Sequence, residues 1–360
     1  SFSVLSEPSS CSPTTATGRC SWRAEQNAIF DAERLRQHHL AGKVEKIKVN
    51  VKPCPAEDEH ALILNKGIST PYDCAKHINE QFMISAALAL VDGKLWDMHR
   101  PLVSDCSLKF LYFTDENPYF VNRAYWRTCS LVLGYILETS FEENVQVTLH
   151  SWPGTNYRTG SFVYDVRIDC DGFQLSDQDL RILSLMPLQQ LRSQRLMFER
   201  LEVSLDVAKQ LFKHNEFKFQ QLPSIERSSL TEDGRIPLYR FGDHIDVSRG
   251  PMVSHTQQLG YYEICSVSIL HRASDAGVTF TPLQYSAEDT DDFGQLYRFQ
   301  GVSVPYTQRI NSWTWEVLKR FSKRKNSMPL PSLQRYATNA SSDAAGKNVS
   351  AAVSSLPNNY

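Results

Sequence analysis

The chain lacks the patterns on which many cofactor-binding and metal-binding proteins are built. Its 360 residues contain no Gly-x-Gly and no Gly-x-x-x-x-Gly-Lys-Ser/Thr, which excludes the usual dinucleotide, kinase and P-loop phosphate-binding loops. Its eight cysteines lie far apart and form no Cys-x-x-Cys pair, which argues against a zinc ribbon and a thioredoxin-like site. No apolar run approaches the roughly 18 residues that a membrane helix needs. We therefore expect no metal, no cofactor and no membrane span.

An excess of charge of one sign is also missing. The formal net charge is -2, so the molecule as a whole is not an electrostatic nucleic-acid binder. The charge is uneven, because residues 314–360 contain seven Lys and Arg residues and only two Asp and Glu residues. Five of these cations lie close together and are the candidates for RNA binding: Lys319, Arg320, Lys323, Arg324 and Lys325. The alternative is an ordinary solvated helix end, where the helix dipole favours cations.

The length favours two domains with additional segments at both ends. Residues 1–42 combine a Ser/Thr/Pro-rich tail with an amphipathic helix at 21–40, which lies either against a partner or on its own domain. Residues 313–325 are predicted to form a basic helix, and the low-complexity residues 326–360 are not expected to fold. The first residue is Ser1, which is explained either by removal of a targeting segment or by artificial trimming.

Residues 43–116 show the pattern of a small α+β domain. Residues 44–51 alternate as a half-buried strand does, and a second strand is predicted at 61–66. Pro71 suits the first turn of a helix that continues to Met83. A hairpin follows, in which Asp-Gly supplies the positive φ of a tight turn, and then a last strand. This order of elements resembles the TGS domain, a module with the β-grasp fold.

Residues 117–312 are predicted to form a larger α+β domain. It begins with a helix at 119–141, and Ser176 and Ser204 are expected to cap two further helices. The acidic segment 286–292 is expected to be a solvated loop. Strands are predicted at 145–150, 162–168, 236–241, 261–270 and 295–304, the last three in one larger sheet.

Two short segments carry the most specific pattern in the chain. One is Trp126-Arg127-Thr128-Cys129-Ser130-Leu131-Val132-Leu133-Gly134-Tyr135, and the other is Asp246-Val247-Ser248-Arg249-Gly250-Pro251-Met252. Together they resemble the two signatures of the tRNA-editing domain of threonyl-tRNA synthetase, which are His-x-x-x-His on a helix and Asp-x-Cys-Arg-Gly-Pro-His on a loop. The resemblance places Arg127 and Leu131 at the two helix histidines. It places Ser248 and Met252 at the loop Cys and His.

These four replacements remove the chemistry that the resemblance implies. Editing hydrolyses the ester between a wrong amino acid and tRNA, and histidine suits this work because imidazole exchanges protons near neutral pH. Related editing enzymes bind zinc at the same positions, which needs His or Cys ligands. Leu131 offers neither function, Met252 has only a weak thioether acceptor, and Arg127 adds a permanent positive charge. We therefore expect an inherited fold without a catalytic residue.

The whole pattern is that of a TGS-like module, an editing-like domain with an emptied site, and no synthetase core. It resembles a synthetase-derived family of the animal mitochondrial large ribosomal subunit, that of protein thirty-nine. Besides the two segments above, Arg298-Phe299-Gln300-Gly301-Val302-Ser303 carries this resemblance. It implies a structural role in the mitochondrial matrix that supports mitochondrial translation. The implied partners are large-subunit ribosomal proteins and large-subunit rRNA, with no small-molecule substrate.

Two other functions stay open. A free-standing tRNA-binding or trans-editing factor predicts a contiguous basic surface around Arg127 and Arg249, since phosphate contacts and catalysis use different groups. The hypothesis of a structural role predicts that the protein's own side chains fill the altered pocket. A regulatory TGS module that binds a small nucleotide has only the fold analogy in its favour.

Overall fold

The computed structural model describes residues 18–40, 44–54, 57–142, 145–154, 159–170, 173–229, 231, 234–270 and 296–328. The acidic segment 286–292 and nearly all of both predicted tails lie outside the described residues. None of the helices in the described ranges combines the length and the apolar character needed to cross a bilayer.

The described helices are α1 (Gly18–Leu40), α2 (Pro71–Ile78), α3 (Glu80–Ser85), α4 (Tyr119–Thr139), α5 (Asp177–Gln194), α6 (Leu205–Leu211), α7 (Glu216–Arg227) and α8 (Ser312–Ser322). The described strands are β1 (Lys46–Lys52), β2 (His60–Asn65), β3 (Leu88–Val91), β4 (Lys94–Trp96), β5 (Cys106–Leu111), β6 (Gln146–Ser151), β7 (Phe162–Asp169), β8 (Glu199–Val203), β9 (Ile236–Phe241), β10 (His244–Val247), β11 (Leu259–Leu270) and β12 (Leu296–Pro305).

The first sheet has five strands in the order β2-β1-β5-β3-β4. β1 and β5 are parallel and the other pairs are antiparallel. The buried residues of β1 alternate as the sequence predicts, and they pack with α2 in one apolar cluster. The hairpin between β3 and β4 turns at Asp92 (φ 49°) and Gly93 (φ 78°), both left-handed, which is the backbone that Asp-Gly favours in a two-residue turn.

The helix predicted from Pro71 to Met83 is two helices. Thr70 caps α2, because its hydroxyl accepts from the Asp73 amide while the Asp73 carboxylate accepts from the Thr70 amide. Asn79 then takes an extended conformation between α2 and α3, and its side chain accepts from the Gln81 amide. Asparagine favours such a cap because its short side chain replaces the missing backbone partner.

The second part of the chain contains two further sheets. One has four antiparallel strands in the order β11-β12-β7-β6, and the other has three in the order β10-β9-β8. The prediction that 236–241 shares a sheet with 261–270 and 295–304 is therefore wrong. Every residue of β9 is buried, so its sequence shows no period-two pattern that could indicate its neighbours. The sequence analysis also missed β8, β10 and α7.

Helix α1 packs on its own chain, which is the second of the two predicted alternatives. Phe30 is fully buried and shares an apolar cluster with β8, α6 and β9. The Arg240 guanidinium lies over the Phe30 ring at 4.3 Å and pairs with Asp31 at 2.9 Å. Near the start of the helix, Arg23 pairs with Glu138 at 3.0 Å. The helix is thus held by both apolar and charged contacts.

Candidate functional site

The two altered segments meet in space. The first lies on α4, and the second continues from β10 into the loop before β11. Arg127 donates from Nη1 to the Pro251 carbonyl at 2.8 Å. The Val253 amide, directly after the second segment, donates to Thr128 Oγ1 at 3.1 Å. The sequence prediction that these segments form one site is consistent with these contacts.

The altered residues themselves fill the space between helix and loop. Leu131 and Met252 are buried in the same apolar core, with exposed fractions of 0% and 1%. The Met252 sulfur lies 3.5 Å from Thr128 Oγ1, and Ser248 Oγ accepts from the Gly250 amide at 3.2 Å. No imidazole or thiolate stands at any of the four positions. What remains is a packed helix–loop contact.

The two retained glycines have steric reasons to be there. Gly250 has φ 64°, and a Cβ atom on it would stand 1.7 Å from the Tyr239 hydroxyl oxygen, which no ordinary side chain tolerates. A Cβ atom on Gly134 would stand 2.7 Å from Cε2 of Tyr164. The frame of the motif is therefore kept by packing. Packing also explains Cys129, which is fully buried and whose pKa is raised by that burial, so that its thiol stays protonated.

Asp246 of the second segment anchors a buried polar cluster. Its Oδ1 lies 2.6 Å from Lys218 Nζ, and its Oδ2 accepts from the Tyr164 hydroxyl at 2.6 Å and from the Trp152 indole at 3.2 Å. Lys218 also donates to the Tyr164 oxygen at 2.9 Å. Lys218 and Asp246 are 4% and 0% exposed. The Asp246 carboxylate and the Lys218 ammonium thus compensate each other's buried charge. Neither Tyr164 nor Lys218 was predicted as a site residue, because Tyr164 belongs to no motif and Lys218 lies in α7, a helix that was not predicted.

A cavity of about 440 Å³ lies beside this cluster. Its wall combines α1, the end of α4, β6, α7 and β10, and the residues that contribute charge are Glu138, Lys218 and Asp246. Burial opposes ionisation of Glu138, but Arg23 and His244 outweigh it and lower its pKa to about 2. Its charge is thus already compensated within the chain. None of the four altered positions lines this cavity.

The altered loop has a second contact, with the five-stranded sheet. Asp97, just after β4, accepts at Oδ1 from the Met252 amide at 2.8 Å and from the Tyr239 hydroxyl at 2.9 Å. Its Oδ2 lies 3.2 Å from Arg200 Nη1. The His99 ring adds a bond of 2.9 Å to the Ser254 carbonyl. The loop that resembles a catalytic loop therefore joins the two parts of the chain.

The basic cluster on and after α8 divides into two groups. Lys319 is nearly buried and pairs with Glu316 at 2.7 Å and Glu263 at 3.3 Å. Arg320, Lys323, Arg324 and Lys325 are exposed. Lys323 reaches Asp177 at 3.5 Å, with both side chains at least half exposed, and such surface pairs contribute little. Four of the five predicted cations are therefore accessible.

Comparison with known proteins shows the family of the chain. The TGS domain family matches residues 48–112. The large ribosomal subunit protein mL39 of Drosophila melanogaster is 38% identical over 309 residues, which cover 86% of each chain. The chain belongs to the mL39 family. This confirms the family predicted from the two altered segments and the α+β fold with a TGS domain near its start.

The chain is also similar to part of an enzyme. Cytoplasmic threonine–tRNA ligase 2 of Bos taurus is 32% identical over 245 residues, and cytoplasmic threonine–tRNA ligase 1 of Homo sapiens is 27% identical over 281 residues. These matches cover 68% and 78% of this chain but only 29% and 34% of the ligases. The chain thus spans about a third of each ligase.

Proposed function

We propose that this mL39 family member is a structural component of the mitochondrial large ribosomal subunit, located in the matrix, that supports translation and catalyses no editing reaction. The observation that carries the proposal is the burial of Leu131 and Met252, at two positions where the resemblance to the editing signatures places histidines. A side chain that completes an apolar core cannot exchange protons with a substrate. Membership of the mL39 family supplies the ribosomal setting.

The rest of the site supports a protein without catalysis. Arg127 is held by the Pro251 carbonyl, and a guanidinium does not act as a base at neutral pH. Ser248 bonds within its own loop, and the buried pair Lys218–Asp246 satisfies its own charges. These polar groups at and beside the altered positions thus have a structural use, and no small-molecule substrate is expected.

The partners in this proposal are large-subunit proteins and rRNA. Lys323, Arg324 and Lys325, at the end of α8, are exposed and are proposed for rRNA phosphates, which attract such cations strongly. Lys319 instead holds α8 to β11 through Glu263. The proposal keeps the predicted domain boundaries after residues 42, 116, 312 and 325. It also holds that the segments outside the two domains contact neighbouring molecules.

The alternative of a tRNA-binding factor has less support. It predicts a basic surface around Arg127 and Arg249, and Arg249 is exposed. Arg127, however, is half-buried against Pro251, and the neighbouring Arg200 is buried and paired with Asp97 and Glu202. The cations at this place stabilise the loop, which leaves little charge for a phosphate backbone.

Complementation of cells depleted of the endogenous protein tests the proposal. The rescuing chains are wild type, Arg127→Ala, Ser248→Ala and, as a matched surface control, Arg181→Ala on α5. Mitochondrial protein synthesis and the amount of assembled large subunit are measured. A structural role predicts that all four chains restore both quantities. Rescue by wild type and the control, with failure of the folded Arg127→Ala and Ser248→Ala chains, would support the editing or tRNA-binding alternative instead.

A further inference from the structure

Helix α8 is rigidly attached to the four-stranded sheet. Asn311 caps its start by accepting from the Thr314 amide at 2.7 Å. At its end, Gln300 Nε2 donates to the carbonyls of Ser322 and Arg324 at 3.0 and 2.9 Å. Gln300 Oε1 accepts from the Asn326 amide at 3.0 Å, and both of these side chains are buried. The end of the helix is thus tied to β12 through Gln300.

Three apolar side chains on this fixed helix face outward. Trp313, Val317 and Phe321, here called the α8 stripe, are spaced four residues apart and therefore share one face. Their exposed fractions are 73%, 42% and 38%, and Trp313 is the most exposed large apolar residue in the described part of the chain. Phe321 lies partly over Gly160, so Trp313 and Val317 are the free part of the stripe.

The opposite face accounts for the helix's own packing. Trp315 contacts Tyr261 of β11 with ring centroids 5.4 Å apart, and Lys319 pairs with Glu263 of the same strand. Ser322 is fully buried. Because these residues already hold α8 on the sheet, Trp313 and Val317 are not needed to attach the helix. Their apolar surface is left for another molecule.

The side chains on this face favour a protein over RNA. Arg320 is exposed and, seven residues after Trp313, lies on the same face. Tryptophan and arginine are the side chains that most often dominate protein interfaces. Val317, at the centre of the stripe, offers no ring on which a base could stack.

We infer that the α8 stripe docks into an apolar groove of a neighbouring protein whose rim presents a carboxylate to Arg320. An amphipathic helix in an apolar groove is a common way for two proteins to bind. The inference rests on the proposed function for its setting, the large ribosomal subunit. It assigns protein contact to Trp313, Val317 and Arg320. The proposed rRNA contact stays with the cations at the helix end.

A double variant, Trp313→Ala with Val317→Ala, tests this inference. Its matched control is Ile182→Ala with Leu185→Ala, which removes two exposed apolar side chains from α5. Each chain replaces the endogenous protein in cells, and the fraction retained on purified large subunits is measured over a series of salt washes. We expect the α8 variant to lose about tenfold in retention, as one strong interface residue can cause, and the control to match wild type. Thermal unfolding of the purified variants confirms that each still folds.

A photo-reactive phenylalanine at position 313 identifies the occupant. We expect a cross-link to one large-subunit protein, in a peptide with apolar residues flanked by Asp or Glu. A cross-link to rRNA, or equal retention of the α8 variant and its control, would overturn the inference while leaving the ribosomal role intact. Wild-type chain that never sediments with large subunits would overturn the proposed function, so the two failures are distinguishable.

Discussion

The backbone amide of Met252 donates to the carboxylate of Asp97 at 2.8 Å. Met252 stands where the resemblance to the editing signature places a histidine, and Asp97 belongs to the part of the chain that matches the TGS domain. The bond therefore couples the altered loop to its neighbouring domain. The loop thus has a structural role that needs none of the catalytic side chains of the motif.

Replacing Asp97 should loosen this junction. Asp97→Ala removes the acceptor of the Met252 amide and the Tyr239 hydroxyl and leaves Arg200 with one fewer carboxylate. Breaking one side of such a buried pair costs about 3–5 kcal/mol, so chemical denaturation should show a loss of that size. Asp58→Ala, at an exposed residue of the same part of the chain, should change the unfolding free energy by less than about 0.5 kcal/mol. Equal losses in the two variants would refute the coupling.

The buried pair Lys218–Asp246 should behave as a unit. Lys218→Met leaves the Asp246 carboxylate without its cation, at a cost of about 3–5 kcal/mol. The double variant Lys218→Met with Asp246→Asn removes both charges, and it should be more stable than the single variant because no buried charge is left unpaired. A double-mutant cycle in urea measures the coupling. Additive effects would mean that the two groups do not depend on each other.

Introducing the histidine of the editing signature at position 252 should destabilise the protein. Met252→His places an imidazole in an apolar core where Met252 is 1% exposed, and we expect a loss of about 2–3 kcal/mol for the desolvated polar ring. Met252→Leu, which keeps volume and polarity, should cost less than about 1.5 kcal/mol. Thermal unfolding of both variants is the measurement. A Met252→His chain as stable as Met252→Leu would show that room for the catalytic side chain still exists.

Acid should destabilise the protein partly through His150. Burial, with Lys218 nearby, lowers the pKa of His150 from 6.5 to about 3. The unfolded chain therefore binds a proton that the folded chain does not, so this histidine's contribution is present above pH 6.5 and is lost as pH falls from 6.5 toward 3. The slope is about 1.4 kcal/mol per pH unit for one proton. His150→Gln should flatten the curve in that window, measured by urea unfolding at a series of pH values, and an unchanged slope would contradict the assignment.

Some of this structure follows from local sequence and some does not. Ser176 and Ser204 cap their helices as the sequence predicts, because a capping side chain bonds a backbone amide three positions further along the chain. The fully buried β9 gives no such signal. Its neighbours β8 and β10 can be assigned only from tertiary contacts, which no local period encodes.

The residues of the candidate site likewise fall into those that the sequence identifies and those that it does not. Sequence resemblance identifies the four altered positions, since the motif frame fixes their order along the chain. It cannot identify Lys218, Tyr164 or Asp97, which are brought to the site by separate elements and carry no motif. Nor can it separate Lys319, which faces Glu263, from the exposed cations beside it, because helix orientation decides which of them meets solvent.

Sedimentation of the endogenous protein tests the central claim most directly. Mitochondrial extracts are run on sucrose gradients, before and after dissociation of ribosomes into subunits and after a salt wash. The account predicts that the protein follows the large subunit in every gradient. Protein that runs at the top of the gradient, free of the large subunit, would contradict it, and tRNA binding and deacylation by the purified chain would then be the properties to measure.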